Sequence, residues 1–385
     1  MHVHYHDDFM AFMALVRKTN LTSDARRQVK LRQMKFRRNR FSLMPIDKSA
    51  VLLLLITIVV HISAQPSDAD LANLRTKAEK GDAESQYKMG AAFAFGNLGL
   101  QRDHREAVNW YRKAAAQNFA AAQFNLGVCY FWGTGVPKDE AEAVTWYRKA
   151  AAQDFADAQF NLGSCYLFGR GGIAKDEVEA IKWFRKAADQ NNASAQNNLG
   201  VCYQQGQGVA KDELEALRWF RKAAAADFAE AQISLGLCYA HGRGVAKDEV
   251  EALKWYQKAA DQNYAQGQFN VGACYFYGRG IPKDEAEAVK WFRKAAEQNL
   301  ASAQSNLGFC YSKGRAVPKD ETEGYKWMLL AAAQGSEYAK KQVASLEGTM
   351  SKEEISEGQK RARNFKAMNT SKPSALGNAI LLKSP

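Results

Sequence analysis

The chain has 385 residues, 46% of them apolar and 11% aromatic, with only seven prolines, so most of it can bury a core. Alanine-rich runs between aromatics favour helix over strand. The net charge of +12 is unevenly placed: residues 1–43 carry ten Lys/Arg against Asp7, Asp8 and Asp24, whereas from Gln65 onward 42 basic face 37 acidic residues. That mixed surface argues against a nucleic-acid partner.

The first segment, 1–43, reads as a basic extension. Residues 44–64 have the layout of a secretory signal peptide: Lys48, then "SAVLLLLITIVVHISA", with small residues at Ser63 and Ala64 before the polar Gln65. Its apolar core is short against the about 20 residues of a membrane span. Cleavage before Gln65 is expected, with translation starting at Met44. An uncleaved signal anchor, and with it membrane attachment, is the alternative. Both place the rest of the chain outside the cytoplasm.

From residue 83 a period organises the chain. The glycine of an "LG" pair recurs at Gly90, Gly127, Gly163, Gly200, Gly236, Gly272 and Gly308, 36 or 37 residues apart, and Trp110, Trp146, Trp183, Trp219, Trp255, Trp291 and Trp327 recur in phase. Each unit splits at a glycine-rich loop into two helical patterns. In the first, Ala158, Leu162, Cys165 and Tyr166 share a face; in the second, Ala180, Trp183, Phe184, Ala187 and Ala188 do, with Lys182, Arg185 and Lys186 turned to solvent. The tryptophan beside small Ala and Gly is expected to fill the space between the two helices. An antiparallel pair of this kind cannot bury its faces alone, so the units must stack. The fold class is all-α, an α-solenoid.

The pattern A-x-x-x-L-G-x-x-Y-x-x-G-x-G-V, a Lys-Asp pair, then E-A-x-x-W-x-x-K-A-A, seen in "ADAQFNLGSCYLFGRGGIAKDEVEAIKWFRKAA", resembles the Sel-1-like repeat, a relative of the tetratricopeptide repeat. Seven copies span 83–335. The resemblance implies a right-handed superhelix of helix pairs that serves as a scaffold for protein or peptide partners. Residues 65–82 read as a half-repeat cap with Lys77 and Ala78 in the K-A phase. Residues 336–366 read as capping helices, Ser351 and Glu354 standing at capping-box spacing, and 367–385 as a tail.

Chemical motifs do not survive the period. "GTGVPKDE" joins two helices and recurs, so its glycines end one helix and its Asp139 starts the next, rather than cradling a phosphate. Cys129, Cys165, Cys202, Cys238, Cys274 and Cys310 occupy one position in successive repeats, too far apart for disulfides on helices stacked about 8–10 Å apart, and read as buried thiols. His104 and His241 fall in loops of different repeats, with no metal-ligand spacing. No cofactor, metal or catalytic set is expected. The function implied is a non-enzymatic, exported scaffold binding a protein or extended peptide. An exported hydrolase of beta-lactamase-like type and a membrane-anchored assembly or adaptor factor are the alternatives.

In repeat superhelices the first helix of each unit lines the concave side. The residue before "LG" is Asn125, Asn161, Asn198, Asn270 and Asn306. The tetratricopeptide relationship implies that such an asparagine reaches the backbone of a bound peptide; a bond to a neighbouring helix is the other reading. Selectivity is expected from positions that vary against the repeat, with Phe131, Trp132, Phe168 and Tyr277 as aromatic candidates. Lining of the loop edge is the other reading of these.

Overall fold

The structure is a computed structural model that describes residues 68–368. The basic extension, the signal-like segment with Met44, and all but two residues of the 367–385 tail lie outside the described residues. Seventeen helices, and among the described residues no strand, follow one another: α1 Asp68–Glu79, α2 Ala83–Phe95, α3 His104–Ala116, α4 Ala120–Trp132, α5 Glu140–Ala151, α6 Ala156–Phe168, α7 Glu177–Asp189, α8 Ala193–Gln205 and α9 Glu213–Ala225. They continue as α10 Ala229–His241, α11 Glu249–Asp261, α12 Ala265–Tyr277, α13 Glu285–Glu297, α14 Ala301–Lys313, α15 Glu321–Ala333, α16 Glu337–Glu347 and α17 Lys352–Arg363. His104 and His241 are thus helix-terminal residues rather than loop residues. None of the helices described is long and apolar enough to cross a membrane.

Local chemistry sets the boundaries. Each second helix begins at an aspartate cap: Asp139 accepts from the backbone of Ala141 and Glu142 at 3.0 and 2.9 Å, and Asp176 accepts from Glu179 at 2.9 Å. Most first helices end on a left-handed glycine, such as Gly133 with φ 70°. Between repeats the left-handed position belongs to Asn118, Asp154, Asn191, Asp227, Asn263 and Asn299, residues whose short polar side chains tolerate that conformation.

Within a repeat the "LG" glycine is a notch for a ring. A Cβ on Gly127 would lie 2.7 Å from the Tyr147 ring, and one on Gly200 would lie 2.5 Å from Phe220. The ring is therefore the residue after the tryptophan, not the tryptophan itself. The tryptophans sit at the junctions instead: Trp183 packs against the cluster of Tyr147, Ala158 and Leu162, and Trp219 against that of Phe184 and Leu199. A lysine covers each indole, at 3.9–4.5 Å from the ring centroid in all seven repeats. The first helices of successive repeats touch, α8 with α10 and α10 with α12, while the second helices make no comparable contact. The first helices therefore line the inner side of the curve.

A buried amide ladder ties the repeats together. The glutamine four residues before each "LG" glycine is buried, from Gln86 to Gln304. Gln123 donates to the Ala115 carbonyl and to Asn118 Oδ1, and accepts from Gln153 of its own repeat's end at 2.7 Å. Matching rungs join Gln117 to Gln86, Gln190 to Gln159, Gln262 to Gln232, Gln298 to Gln268 and Gln334 to Gln304 at 2.8–2.9 Å. One rung is missing, because Ala226 stands where the others have glutamine, opposite Gln196. Ala226→Gln is expected to add that hydrogen bond and raise stability by about 0.5–1.5 kcal/mol, read as a higher urea midpoint with an unchanged slope.

Both ends are closed by helices. Gln86 donates to the Ala78 carbonyl of α1 at 3.0 Å, as Gln123 does to Ala115. This puts Lys77 at the position of Ala114, one residue from the expected phase. At the other end α16 and α17 pack on α15, Ser351 and Glu354 form the capping box, and Phe365 meets the Trp327 ring edge-on at 5.5 Å.

Candidate functional site

The last residue of each first helix, just before its left-handed glycine, has no partner across the helix pair to cover it. At this position stand Phe95, Trp132, Phe168 and Tyr277, exposed by 66, 58, 37 and 57%. Gln205, His241 and Lys313 hold it in the other repeats. Three of the four aromatics, Phe95, Trp132 and Phe168, therefore lie on adjoining repeats and form an aromatic row along one edge of the first-helix layer. Large exposed rings in register on successive repeats are unusual on a surface without a partner. Arg170 lies over Phe168 at 5.4 Å and Arg279 over Tyr277 at 4.9 Å, so two of these rings carry a cation on one face.

Phe131 does not share this exposure. It is 4% exposed, packs in the cluster of Tyr147 and Leu162, and props Trp132 edge-on at 5.2 Å. Its expected place among the recognition residues is corrected to that of a support, because the residue before the helix end points into the repeat junction. Phe276 supports Tyr277 in the same way at 5.1 Å.

The asparagines do not form a free ladder of amides. Asn161 and Asn198 are buried, at 3 and 8% exposure. Asn125 lies against the Tyr111 hydroxyl, Asn270 accepts from Gln266 at 3.0 Å, and Asn306 donates to the Ser302 carbonyl at 2.9 Å. For these three the contacts made are within the chain. Asn161 lies against the Tyr147 hydroxyl in the same way, but neither its Nδ2 nor that hydroxyl completes a hydrogen bond among the described residues.

Phe95 was open to detection by phase, since it follows Gly90 by five residues as Trp132 follows Gly127, although the first repeat has Ala92 where the others have cysteine and Phe93 where they have tyrosine. The glutamine ladder was open to detection, since glutamine precedes every "LG" glycine by four residues. The six cysteines are free, five of them buried. Burial pushes Cys165 and Cys202 up to about 12 and Cys129, Cys238, Cys274 and Cys310 up to about 11, which keeps them as thiols and poor nucleophiles. Among the described residues no three His, Cys, Asp or Glu side chains converge as a metal set.

The Sel1 repeat profile matches the chain seven times in unbroken succession, at 83–119, 120–155, 156–192, 193–228, 229–264, 265–300 and 301–336. The chain belongs to the Sel1 repeat family. Sel1 repeats generally mediate protein–protein interactions. Among solved structures the chain is similar to a Sel1 repeat protein from Oxalobacter formigenes, at 35% identity and TM-score 0.58 over 64% of this chain and 96% of that one. It is also similar to a protective antigen of uropathogenic Escherichia coli with an SLR fold, at 33% identity and TM-score 0.59 over 76% of this chain and 64% of that one. A curated relative, the ERAD-associated E3 ubiquitin-protein ligase component HRD3A of Arabidopsis thaliana, is 38% identical over 16% of this chain and 9% of its own length. The chain thus matches under a tenth of that relative's length.

Proposed function

We propose that this Sel1 protein is a non-catalytic scaffold that captures a protein partner, as an extended segment, along the aromatic row. The observation that carries this reading is the exposure of Phe95, Trp132 and Phe168 at one helix position in three adjoining repeats. Aromatic side chains supply large contact area at low entropic cost and dominate binding energetics at interfaces. The rings are held ready: Phe131 supports Trp132 from below and Arg170 fixes Phe168 from the side, so little ordering is needed on association.

The test is capture of the native partner by crosslinking from the source cells, followed by titration of that partner. Trp132→Ala is expected to weaken binding by about 2 kcal/mol or more while leaving the unfolding midpoint unchanged, since the ring is exposed. Equal affinity of wild type, Trp132→Ala and Phe95→Ala would remove the row from consideration. The reading includes export, supported by the signal-like segment 44–64 and by the antigen among the similar proteins. N-terminal sequencing of the native protein is expected to begin at Gln65, and peptides from within 1–40 in the mature product would contradict it.

A further inference from the structure

Where the aromatic row crosses from the second to the third repeat, a small cavity of about 10 Å³ opens beside it, lined by Phe131, Tyr147, Asn161, Phe168 and Arg170 with Ser164 and Cys165. Two of these side chains are fully desolvated and unsatisfied. Tyr147 is 0% and Asn161 3% exposed, and neither the Tyr147 hydroxyl nor Asn161 Nδ2 has a hydrogen-bond partner among the described residues. A buried donor left unpaired costs free energy that a bound acceptor would recover. The Ser164 hydroxyl is already spent on the Phe160 carbonyl at 3.0 Å, so the open capacity is that of the Asn161 amide and the Tyr147 hydroxyl, which lie against each other without completing a hydrogen bond.

The surroundings fix the sign of the missing group. No carboxylate lines the cavity, and Glu140, the acid nearest Cys165, is paired with Lys138 at 2.6 Å. Arg170 stands exposed at the mouth, stacked over Phe131 and Phe168 at 5.7 and 5.4 Å. It makes no ion pair among the described residues, so the edge of its guanidinium is open to an anion. The room available suits one water-sized atom, that is, one oxygen. The same combination recurs elsewhere in the chain: tyrosine stands fourteen residues before the asparagine, at Tyr111, Tyr147 and Tyr256, only in the repeats where Trp132, Phe168 and Tyr277 follow. Phe184, Phe220 and Phe292 precede the repeats that end in Gln205, His241 and Lys313.

We infer that this cavity is a subsite for an acidic side chain of the bound segment, one carboxylate oxygen accepting from Asn161 and Tyr147 while the other meets Arg170. This rests on the aromatic row as the docking surface. Exposed rings continue on the amino-terminal side at Trp132 and Phe95 and the first-helix layer continues on the other toward Gln205, so the chain runs past the cavity in both directions. The occupant is therefore an internal aspartate or glutamate flanked by apolar residues, rather than a chain terminus.

The test uses the full chain and three fluorescein-labelled heptapeptides with paired leucines around the centre. One has a central aspartate and blocked ends, one a central asparagine and blocked ends, and one a central asparagine with a free C-terminal carboxylate. The aspartate peptide is expected to bind about tenfold or more tighter than its blocked asparagine twin, the scale of a hydrogen bond to a charged group. Tyr147→Phe and Arg170→Gln are each expected to shrink that ratio toward one. Phenylalanine already serves at 184, 220 and 292, so Tyr147→Phe retains the fold, and its unfolding midpoint confirms this. Equal affinity for the two blocked peptides, an aspartate preference that Tyr147→Phe leaves intact, or no binding of any peptide overturns the subsite. A preference for the free carboxylate overturns the internal side chain as its occupant. A crystal structure of the complex with an enclosed water still in the cavity also overturns it. Capture of the native partner reports on the aromatic row without these peptides, so failure of the subsite and failure of the row are distinguishable.

Discussion

Phe220→Ala is expected to lower the free energy of unfolding by about 3–5 kcal/mol. The ring is 1% exposed and fills the notch over Gly200, with Val201, Leu217, Ala224 and Leu235 around it. Removing it leaves a space that two helices held by their caps cannot close. Because each repeat touches only its neighbours, the loss is expected first as faster amide exchange in α8, α9 and α10, and then as a lower urea midpoint. Trp219→Ala is expected to cost less, since that indole is only half-buried and its N–H has no hydrogen-bond partner among the described residues. If the two losses were reversed, the tryptophan, and not the phenylalanine, would be the ring that holds the pair together.

Gly208→Ala carries the second large effect. The residue has φ +68°, and a Cβ there would lie 2.3 Å from the Glu177 carbonyl oxygen, on the backbone of the preceding repeat. Backbone cannot yield as the end of a flexible side chain can. The cost combines about 1–2 kcal/mol for the left-handed conformation with about 1–3 kcal/mol for overpacking. Gly206→Ala is the control: its φ is +73°, but the nearest atom to a Cβ is 3.5 Å away, so only the conformational part remains. Thermal unfolding of the two variants separates a helix cap from an interface between repeats, and equal shifts would refute the interface.

The architecture was legible because seven copies repeat every constraint. Phase alone identified the helix pairs, the aspartate caps and the glycine loops. What phase conceals is which neighbour a side chain meets. Trp183 and Phe184 are adjacent and both apolar, and only the packing shows that one joins repeats while the other fills the pair. The same limit applies to Phe131 and Trp132, where one residue's rotation around the helix end separates a buried prop from an exposed ring. Asn161 and Asn198 follow it as well: their position on the first helix is the expected one, but both are buried, Asn161 against Tyr147 of the preceding repeat's second helix. The two roles of the loop glycines are likewise indistinguishable in sequence, since both need a left-handed backbone and only the second, as at Gly208, also needs the absence of a Cβ against another repeat.

The indoles follow a competition that pairs of neighbours decide. Trp146 donates to Glu142 at 2.8 Å, whereas the indole N–H groups of Trp183, Trp219, Trp255 and Trp291 have no hydrogen-bond partner among the described residues. In those four repeats the equivalent glutamate, Glu179, Glu215, Glu251 or Glu287, is taken by Lys182, Arg218, Lys254 or Lys290. The second repeat has Thr145 at that place, and its glutamate turns to the ring.

Ala226 gives the array a mechanical grain. In every other repeat a glutamine rung ties the end of the second helix back to the first helix, and the fourth repeat, α8 with α9, has none because Ala226 faces Gln196. A load applied along the superhelix therefore finds its most compliant unit in that helix pair, which stands between the first three repeats with the aromatic row and the last three with Tyr277. Yielding of that unit changes the distance between the two groups of rings, so a long partner gripping both would feel the compliance of a single missing amide.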